Sequence, residues 1–289
     1  MNWHIMDRHR SDITLESIVL MAALVAILSV VASFIFGVQG LALGPLTLVM
    51  FWLVEAKAPI AWILRAHRAA PIPPDHPVTR LFAALYRRAG LDQRVSLYYS
   101  PSGNFNAYTV GHSGESAIVL NAPVLQYFAD EEIAGILAHE LSHVVNHDTR
   151  FMALAASLAS MISQMSFVLI LICIITSPIA YMQGHLPAYL GMVVIALLLP
   201  SIAIFLQAKL SQAREFAADL GATELLGDPR YLISALVKLE RYSGALMLPW
   251  IRRTQGYFGS HPNTAERVRR LQSYNEQGYP PHHSGTLGY

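Results

Sequence analysis

The sequence predicts a mainly α integral membrane protein, with four transmembrane helices in two hairpins and a separate α+β domain containing a small antiparallel sheet. Three observations predict it. Hydrophobic residues make up 54% of the 289 residues and charged residues only 13%, with a mean hydropathy of +0.39, whereas ordinary soluble domains are about a quarter charged. The apolar residues gather into four runs. If those runs are four spans, all 20 Lys and Arg residues fall on one side of the membrane.

The first run, Ser17 to Val38, has 22 residues, about 33 Å as a helix against a hydrocarbon core of about 30 Å. It is too long for a signal-peptide core and a second run follows at once, so it reads as an uncleaved span. Gly37, Gly40 and Gly44-Pro45 mark a turn, and Leu41 to Val54 runs back as the shortest span. Continuing it through Pro59 to Leu64, with Glu55 and Lys57 snorkelling, would lengthen it. Phe151 to Ile175 is the third span and Leu186 to Leu206 the fourth; the link Thr176 to His185 carries no Lys, Arg, Asp or Glu. The positive-inside rule then places the N-terminus, the Lys57 to Arg150 segment and the C-terminal segment in the cytoplasm.

Ser157, Ser160, Ser163 and Gln164 in the third span read as helix-packing residues. No Lys, Arg, Asp, Glu or His lies within the four runs, which argues against a transporter or channel component. Cys173, the single cysteine, reads as a small buried hydrophobe. A net charge of +1 without a dense basic block argues against a nucleic-acid partner.

Between and after the hairpins the chain has soluble character. Pro71, Pro73, Pro74 and Pro77 make an extended entry to an amphipathic helix, Thr79 to Ala89, that ends at Gly90. Val95 to Tyr99, Asn106 to Val110 and Ala117 to Asn121 read as three strands of the antiparallel sheet. Asp130 is the expected N-cap of the next helix, with Glu131 and Glu132 in its first turn and Ile133, Ile136, Leu137 and Leu141 as its buried stripe. The expected organisation is a transmembrane hairpin over 1–64, half of a catalytic domain over 65–150, a second hairpin over 151–208 and the other half over 209–289.

Within that helix Ala138-His139-Glu140-Leu141-Ser142-His143 reads H-E-x-x-H. Residues four apart share a helix face, so His139 and His143 can direct their imidazoles at one metal ion while Glu140, about 100° round the axis, stays free. Two neutral nitrogens and an unliganded carboxylate that can take a proton from water suit metal-assisted hydrolysis. With 12 His and 11 Glu in the chain, chance alone would produce the motif about once in fifty such sequences. A third ligand must therefore support it. His147 continues the i, i+4 series, but a third histidine on the usual spacing needs Gly and His where Asn146 and Thr149 stand. Glu215 is the better candidate, because Asp219 shares its face and one of the two can ligate the ion while the other accepts the N–H of a ligand imidazole. An acidic pair at this spacing also suits a solvated face; its neighbours Phe216, Ala217, Ala218 and Leu220 favour burial.

The four spans, the HELSH helix, the R-E-F-A-A-D helix after the fourth span and Ser260-His261-Pro262-Asn263-Thr264-Ala265-Glu266-Arg267 together resemble the HtpX-type membrane zinc metalloproteases. These belong to the gluzincin superfamily, which also contains the CAAX prenyl endopeptidases. The resemblance covers nearly the whole chain, with the 71 residues between His143 and Glu215 taken up by the second hairpin. It implies a zincin-like catalytic domain on the cytoplasmic side of a bacterial inner membrane, one zinc ion held by His139, His143 and Glu215, and Glu140 as general base and acid. It further implies that Asp219 holds a ligand histidine, that Asn106-Ala107-Tyr108 lies on an edge strand pairing with the substrate backbone, and that His261 donates to the carbonyl oxygen as charge develops there. Arg267 would anchor its helix by an ion pair. The implied substrates are misfolded or damaged membrane proteins in a stress-response role, with the lipid bilayer as the other partner. Two alternatives stand beside this reading: a prenyl-protein endopeptidase, which needs more helices, and a non-catalytic scaffold stabilised by zinc, which needs a fourth ligand such as His147 or His261. Ser243 to Gly259, with Met247, Trp250, Tyr257 and Phe258, would touch membrane or cover the cleft.

Overall fold

The structure is a computed structural model that describes residues 3–53, 60–112, 114–244 and 263–276. Its elements are α1 (Trp3–Phe36), α2 (Leu43–Leu53), α3 (Ile60–Ala66), β1 (Ala70–Pro71), α4 (Pro77–Ala89), β2 (Arg94–Ser100), β3 (Ala107–His112), β4 (Glu115–Asn121), α5 (Ala122–Tyr127), α6 (Asp130–Val145), α7 (Asp148–Met182), α8 (Leu186–Leu226), α9 (Arg230–Gly244) and α10 (Thr264–Glu276). They form two compact units. One comprises Thr14–Ala56 and Phe151–Ser211, the other Met1–Ile13, Lys57–Arg150 and Gln212–Tyr289.

Among the described residues three helical segments are long and apolar enough to cross a membrane, Ser11–Phe51, Asp148–Met182 and Leu186–Leu226, and each extends past the first unit. The first of these joins α1 and α2 through a 3-10 turn, Gly37–Ala42. The 11 described residues of α2 are about 16 Å long. This helix folds back along α1. A Cβ on Gly40 would lie 2.3 Å from the Ala32 carbonyl oxygen, and one on Gly44 would lie 2.4 Å from that of Val25, so glycine permits this backbone approach. Leu24, Leu28 and Val31 are buried with Leu154, Leu158 and Ile162, while Ile174, Ile175, Leu197 and Leu198 are exposed, as a lipid-facing surface requires. Ser157 and Ser163 donate to carbonyls of their own helix, Ala153 and Ala159, and Gln164 donates to Ser160. Cys173 is a buried free thiol beside Leu169 and Ala196.

In the second unit the sheet is mixed, in the order β1-β2-β4-β3, and this corrects the antiparallel expectation. β2 runs parallel to β4, and β3 pairs with the other side of β4 antiparallel. The physical reason lies in β4. Its Ser116 to Asn121 are all buried, so the most apolar strand takes the centre and forces β3 to the edge. The stretch from Pro59 to Leu64 does not extend a span over its described part: Ile60 and Leu64 of α3 are buried against Ala117 and Val119 of β4. α4 starts two residues earlier than its apolar pattern suggests, because the His76 ring accepts from the Val78 N–H, and it closes at Gly90 in the left-handed conformation.

α6 packs its stripe of Ile133, Ile136, Leu137 and Leu141 into the main core with Leu81, Leu85, Ile118, Leu120 and Leu232. Its N-cap is Ala129 rather than Asp130. The Glu132 carboxylate reaches back to accept the Ala129 N–H at 2.9 Å, supplying the cap from the third helical position. That carboxylate also binds Lys238 of α9 at 2.7 Å. At the other end His147 adopts a left-handed φ of 55° between the two helices, and α7 starts at Asp148, whose carboxylate lies against His143 in the last turn of α6.

Candidate metal centre

Two glycines let the helices of the second unit close on α6. A Cβ on Gly135 would lie 2.9 Å from backbone atoms of Tyr231 and Leu232 in α9, and one on Gly221 of α8 would lie 2.8 Å from the Ser142 hydroxyl. Gly221 is two residues past Asp219 and Ser142 is one before His143, so this close approach brings the acidic pair of α8 to the imidazoles of α6. His139 Nε2 lies 3.4 Å from Glu215 Oε2, His143 Nε2 lies 3.7 Å from Glu215 Oε1, and the two Nε2 atoms are 3.2 Å apart. One ligand atom from each residue falls within 4.8 Å of the others.

The remaining ring nitrogens are held. His139 Nδ1 is 3.1 Å from Asp219 Oδ1, and His143 Nδ1 is 2.8 Å from Asp148 Oδ2. A carboxylate can only accept, so each Nδ1 carries a proton, and each Nε2, directed at the other ring and Glu215, is the atom that can ligate a metal once it carries none. Both carboxylates are in turn held by arginines. Arg267 of α10 makes a two-pronged pair with Asp219, at 2.8 Å and 2.6 Å, and Arg214 of α8 pairs with Asp148. Arg267 also lies 3.3 Å from Glu215 Oε2. His139, Glu215, Asp219 and Arg267 are at most 8% exposed. Burial pushes the His139 imidazole down, but its hydrogen bonds to Asp219 and Glu215 outweigh it and carry the metal-free ring up to about 10. For Arg267, burial is outweighed by Asp219 and Glu215, which hold the guanidinium charged.

This donor set fits a divalent metal ion. Two nitrogens bound to one tetrahedral zinc at about 2.0–2.1 Å would be separated by about 3.3 Å, and the imidazole nitrogens already have nearly that spacing. The formal charges of Glu140, Asp148, Glu215 and Asp219 against Arg214 and Arg267 leave two negative charges for a divalent cation to balance. Glu140 stands outside the cluster. Its Oε2 accepts from the Thr109 hydroxyl of β3 at 2.7 Å, and the same hydroxyl lies 3.3 Å from its main-chain oxygen.

The structure therefore brings together His139, Glu140, His143, Glu215 and Asp219, with Arg267 as the expected anchor. Asn106, Ala107 and Tyr108 lie at β3, which no other described strand covers on its outer side. His147, left-handed at φ 55° between the two helices, is not part of the cluster. His261 lies outside the described residues, as does most of the stretch from Ser243 to Gly259. The sequence reading missed Asp148, Arg214 and Thr109.

Paired imidazoles and a carboxylate converging from two helices, beside Glu140 and with three membrane-length apolar helices among the described residues, fit a membrane metalloprotease. Within that class the chain belongs to peptidase family M48, whose model matches residues 74–275. It is 29% identical over 282 residues to "Protease HtpX" of Legionella pneumophila subsp. pneumophila (strain Philadelphia 1), covering 90% of this chain and 98% of that one. It is 28% identical over 301 residues to "Protease HtpX homolog" of Trichormus variabilis, covering 91% and 96%. Among solved structures it resembles the crystal structure of S. mikatae Ste24p, with a TM-score of 0.55 and 21% identity, over 92% of this chain and 66% of that longer one. The last likeness concerns the fold alone. The protease relatives do not favour the scaffold or prenyl-protein readings.

Proposed function

We propose that this M48 metalloprotease holds one zinc ion through His139, His143 and Glu215 and cleaves misfolded or damaged membrane proteins at the cytoplasmic face of a bacterial inner membrane. The observation that carries the reading is the convergence of the two Nε2 atoms on Glu215 while Asp219 and Asp148 hold the opposite ring nitrogens. Zinc, when bound, supplies the Lewis acidity that polarises the scissile carbonyl and acidifies water. Glu140 takes the water proton and delivers it to the leaving nitrogen, its carboxylate steadied by Thr109. Asp219 and Asp148 keep the imidazoles in the ligating tautomer. His261 donates to the developing oxyanion.

In this reading the substrate backbone adds as a strand to the outer edge of β3, from Asn106 onward, with its side chains alternating. The catalytic domain is assembled from residues 65–150 and 209–289 on either side of the 151–208 hairpin. The back-folded α2 supports a fourth crossing, and the distribution of Lys and Arg supports the cytoplasmic orientation. The deciding experiment is Glu140→Gln in the purified protein, assayed on casein and on a membrane protein. Metal content is expected to stay at one ion per chain while proteolysis is lost; undiminished cleavage would refute the assignment.

A further inference from the structure

The pairing of β3 with β4 tells which of its backbone groups are free. The register places Ala107 opposite Leu120, Thr109 opposite Ile118 and Gly111 opposite Ser116. Asn121 N–H donates to the Asn106 carbonyl at 3.1 Å, which identifies Asn106–Asn121 as a directly bonded pair on the same register. Bonded and non-bonded pairs alternate in an antiparallel ladder. Tyr108 and Val110 therefore spend their main-chain groups on β4, whereas Ala107, Thr109 and Gly111 direct theirs to the outer edge. Side chains alternate as well. Tyr108 and Val110 pack on the α3 side with Ile60 and Leu64, and Thr109 faces α6.

We infer that Thr109 is a positioning residue that sets Glu140 and the substrate backbone from one Cα. The inference rests on the edge-strand reading of Proposed function. The Thr109 hydroxyl meets two acceptors, Glu140 Oε2 at 2.7 Å and the Glu140 carbonyl at 3.3 Å, so it must donate. That donation occupies Oε2 and leaves Oε1 to receive the proton from water and pass it to the leaving nitrogen. The main-chain N–H and C=O of the same residue point outward, where an added strand would take both. A peptide paired with Thr109 is thereby registered against the carboxylate without any intervening loop.

Three variants test this. Thr109→Val removes the hydroxyl and keeps the shape. A hydrogen bond to a charged group contributes about 1.5–3 kcal/mol, so kcat on a fluorogenic casein peptide should fall roughly 10- to 100-fold. KM should stay within about threefold, since the main chain is untouched. Metal content should match wild type. Thr109→Ser should recover most of kcat. Ala107→Pro removes an outward N–H and keeps the hydroxyl, so it should raise KM more than it lowers kcat. Wild-type kcat in Thr109→Val, metal loss in that variant, or failure of Thr109→Ser to recover would overturn the inference. So would an unchanged KM in Ala107→Pro, which would remove the docking half. None of these touches the zinc peptidase assignment, which stands or falls with Glu140→Gln.

Discussion

Replacing Asp148 by Asn separates two roles that one carboxylate performs. Asp148 is 3% exposed; one oxygen holds His143 Nδ1 at 2.8 Å and the other holds Arg214. Asparagine keeps an oxygen that can accept the imidazole N–H but carries no charge to match the guanidinium. Removing one partner of a buried pair costs about 3–5 kcal/mol, and the Arg214 side chain is 13% exposed, which puts the loss at the low end, about 3 kcal/mol. Separately, weakening the hold on a ligand imidazole typically lowers metal affinity by about 10- to 100-fold. Competition against a chromophoric chelator reads the second effect, and thermal unfolding of the metal-free protein in detergent reads the first. In Asp148→Asn with Arg214→Met the guanidinium that faces position 148 is gone, so part of the stability should return while metal affinity stays reduced. Wild-type affinity in the single variant, or affinity that returns together with stability in the double variant, would refute the claim that Asp148 acts through His143.

Two further outcomes follow from the same geometry. In the metal-free protein His139 is raised from its ordinary value of 6.5 to about 10, so the stability it contributes is full below pH 6.5 and is lost as pH rises through about 10. Metal must displace that proton. Calorimetry at pH 8 in buffers of different ionisation enthalpy should therefore detect about one proton per ion beyond that released by metal-bound water of pKa about 7, whereas an unperturbed imidazole would add about 0.03; release from the water alone would contradict the assignment. At the helix contacts, Gly135→Ala meets the Tyr231 and Leu232 backbone and should destabilise by about 1–3 kcal/mol despite its better helix propensity. Gly221→Ala meets the Ser142 hydroxyl at 2.8 Å and its Cβ at 3.1 Å, so adding Ser142→Ala should restore part of the melting temperature and metal affinity, a recovery that no side-chain change at the α9 backbone contact can provide.

The two pairs of the cluster were readable because helical periodicity places His139 with His143 and Glu215 with Asp219; that the pairs meet, with Glu215 on the metal side, came from the family resemblance. The supporting groups were not readable. Asp148 meets His143 across the junction where His147 takes a left-handed conformation, and no periodic pattern carries across a junction between two helices. The available signal was an acidic residue five positions after His143, just where a new helix begins. Thr109 was hidden in an alternation that reads equally well as strand filler; its polar side chain in the row facing α6 was the clue. Three of the four strands were found within one or two residues, but β1, two residues at Ala70–Pro71, was not, nor was the strand order. The unbroken apolar run of Ala117 to Leu120 was a sign of a central strand, and weighing it would have replaced the antiparallel sheet by the mixed one. At the first hairpin, glycine spacing indicated the fold-back.

The two arginines have a common physical explanation. Each imidazole leans on a carboxylate, and each carboxylate leans on a guanidinium: His139 on Asp219 and Arg267, His143 on Asp148 and Arg214. A buried carboxylate with no other partner would draw a second proton onto its imidazole, and an imidazolium cannot ligate a metal. Charge shared with arginine weakens that pull and leaves the carboxylate strong enough to orient the ring. The direction is visible at His139, where Asp219 and Glu215 raise proton affinity and Arg267 opposes them. Arg267 reaches both of those carboxylates from α10, 128 residues beyond His139. The far end of the chain thus helps to set the competition between proton and metal at a histidine of the H-E-x-x-H helix, which gives Arg267 an electrostatic role in addition to anchoring its own helix.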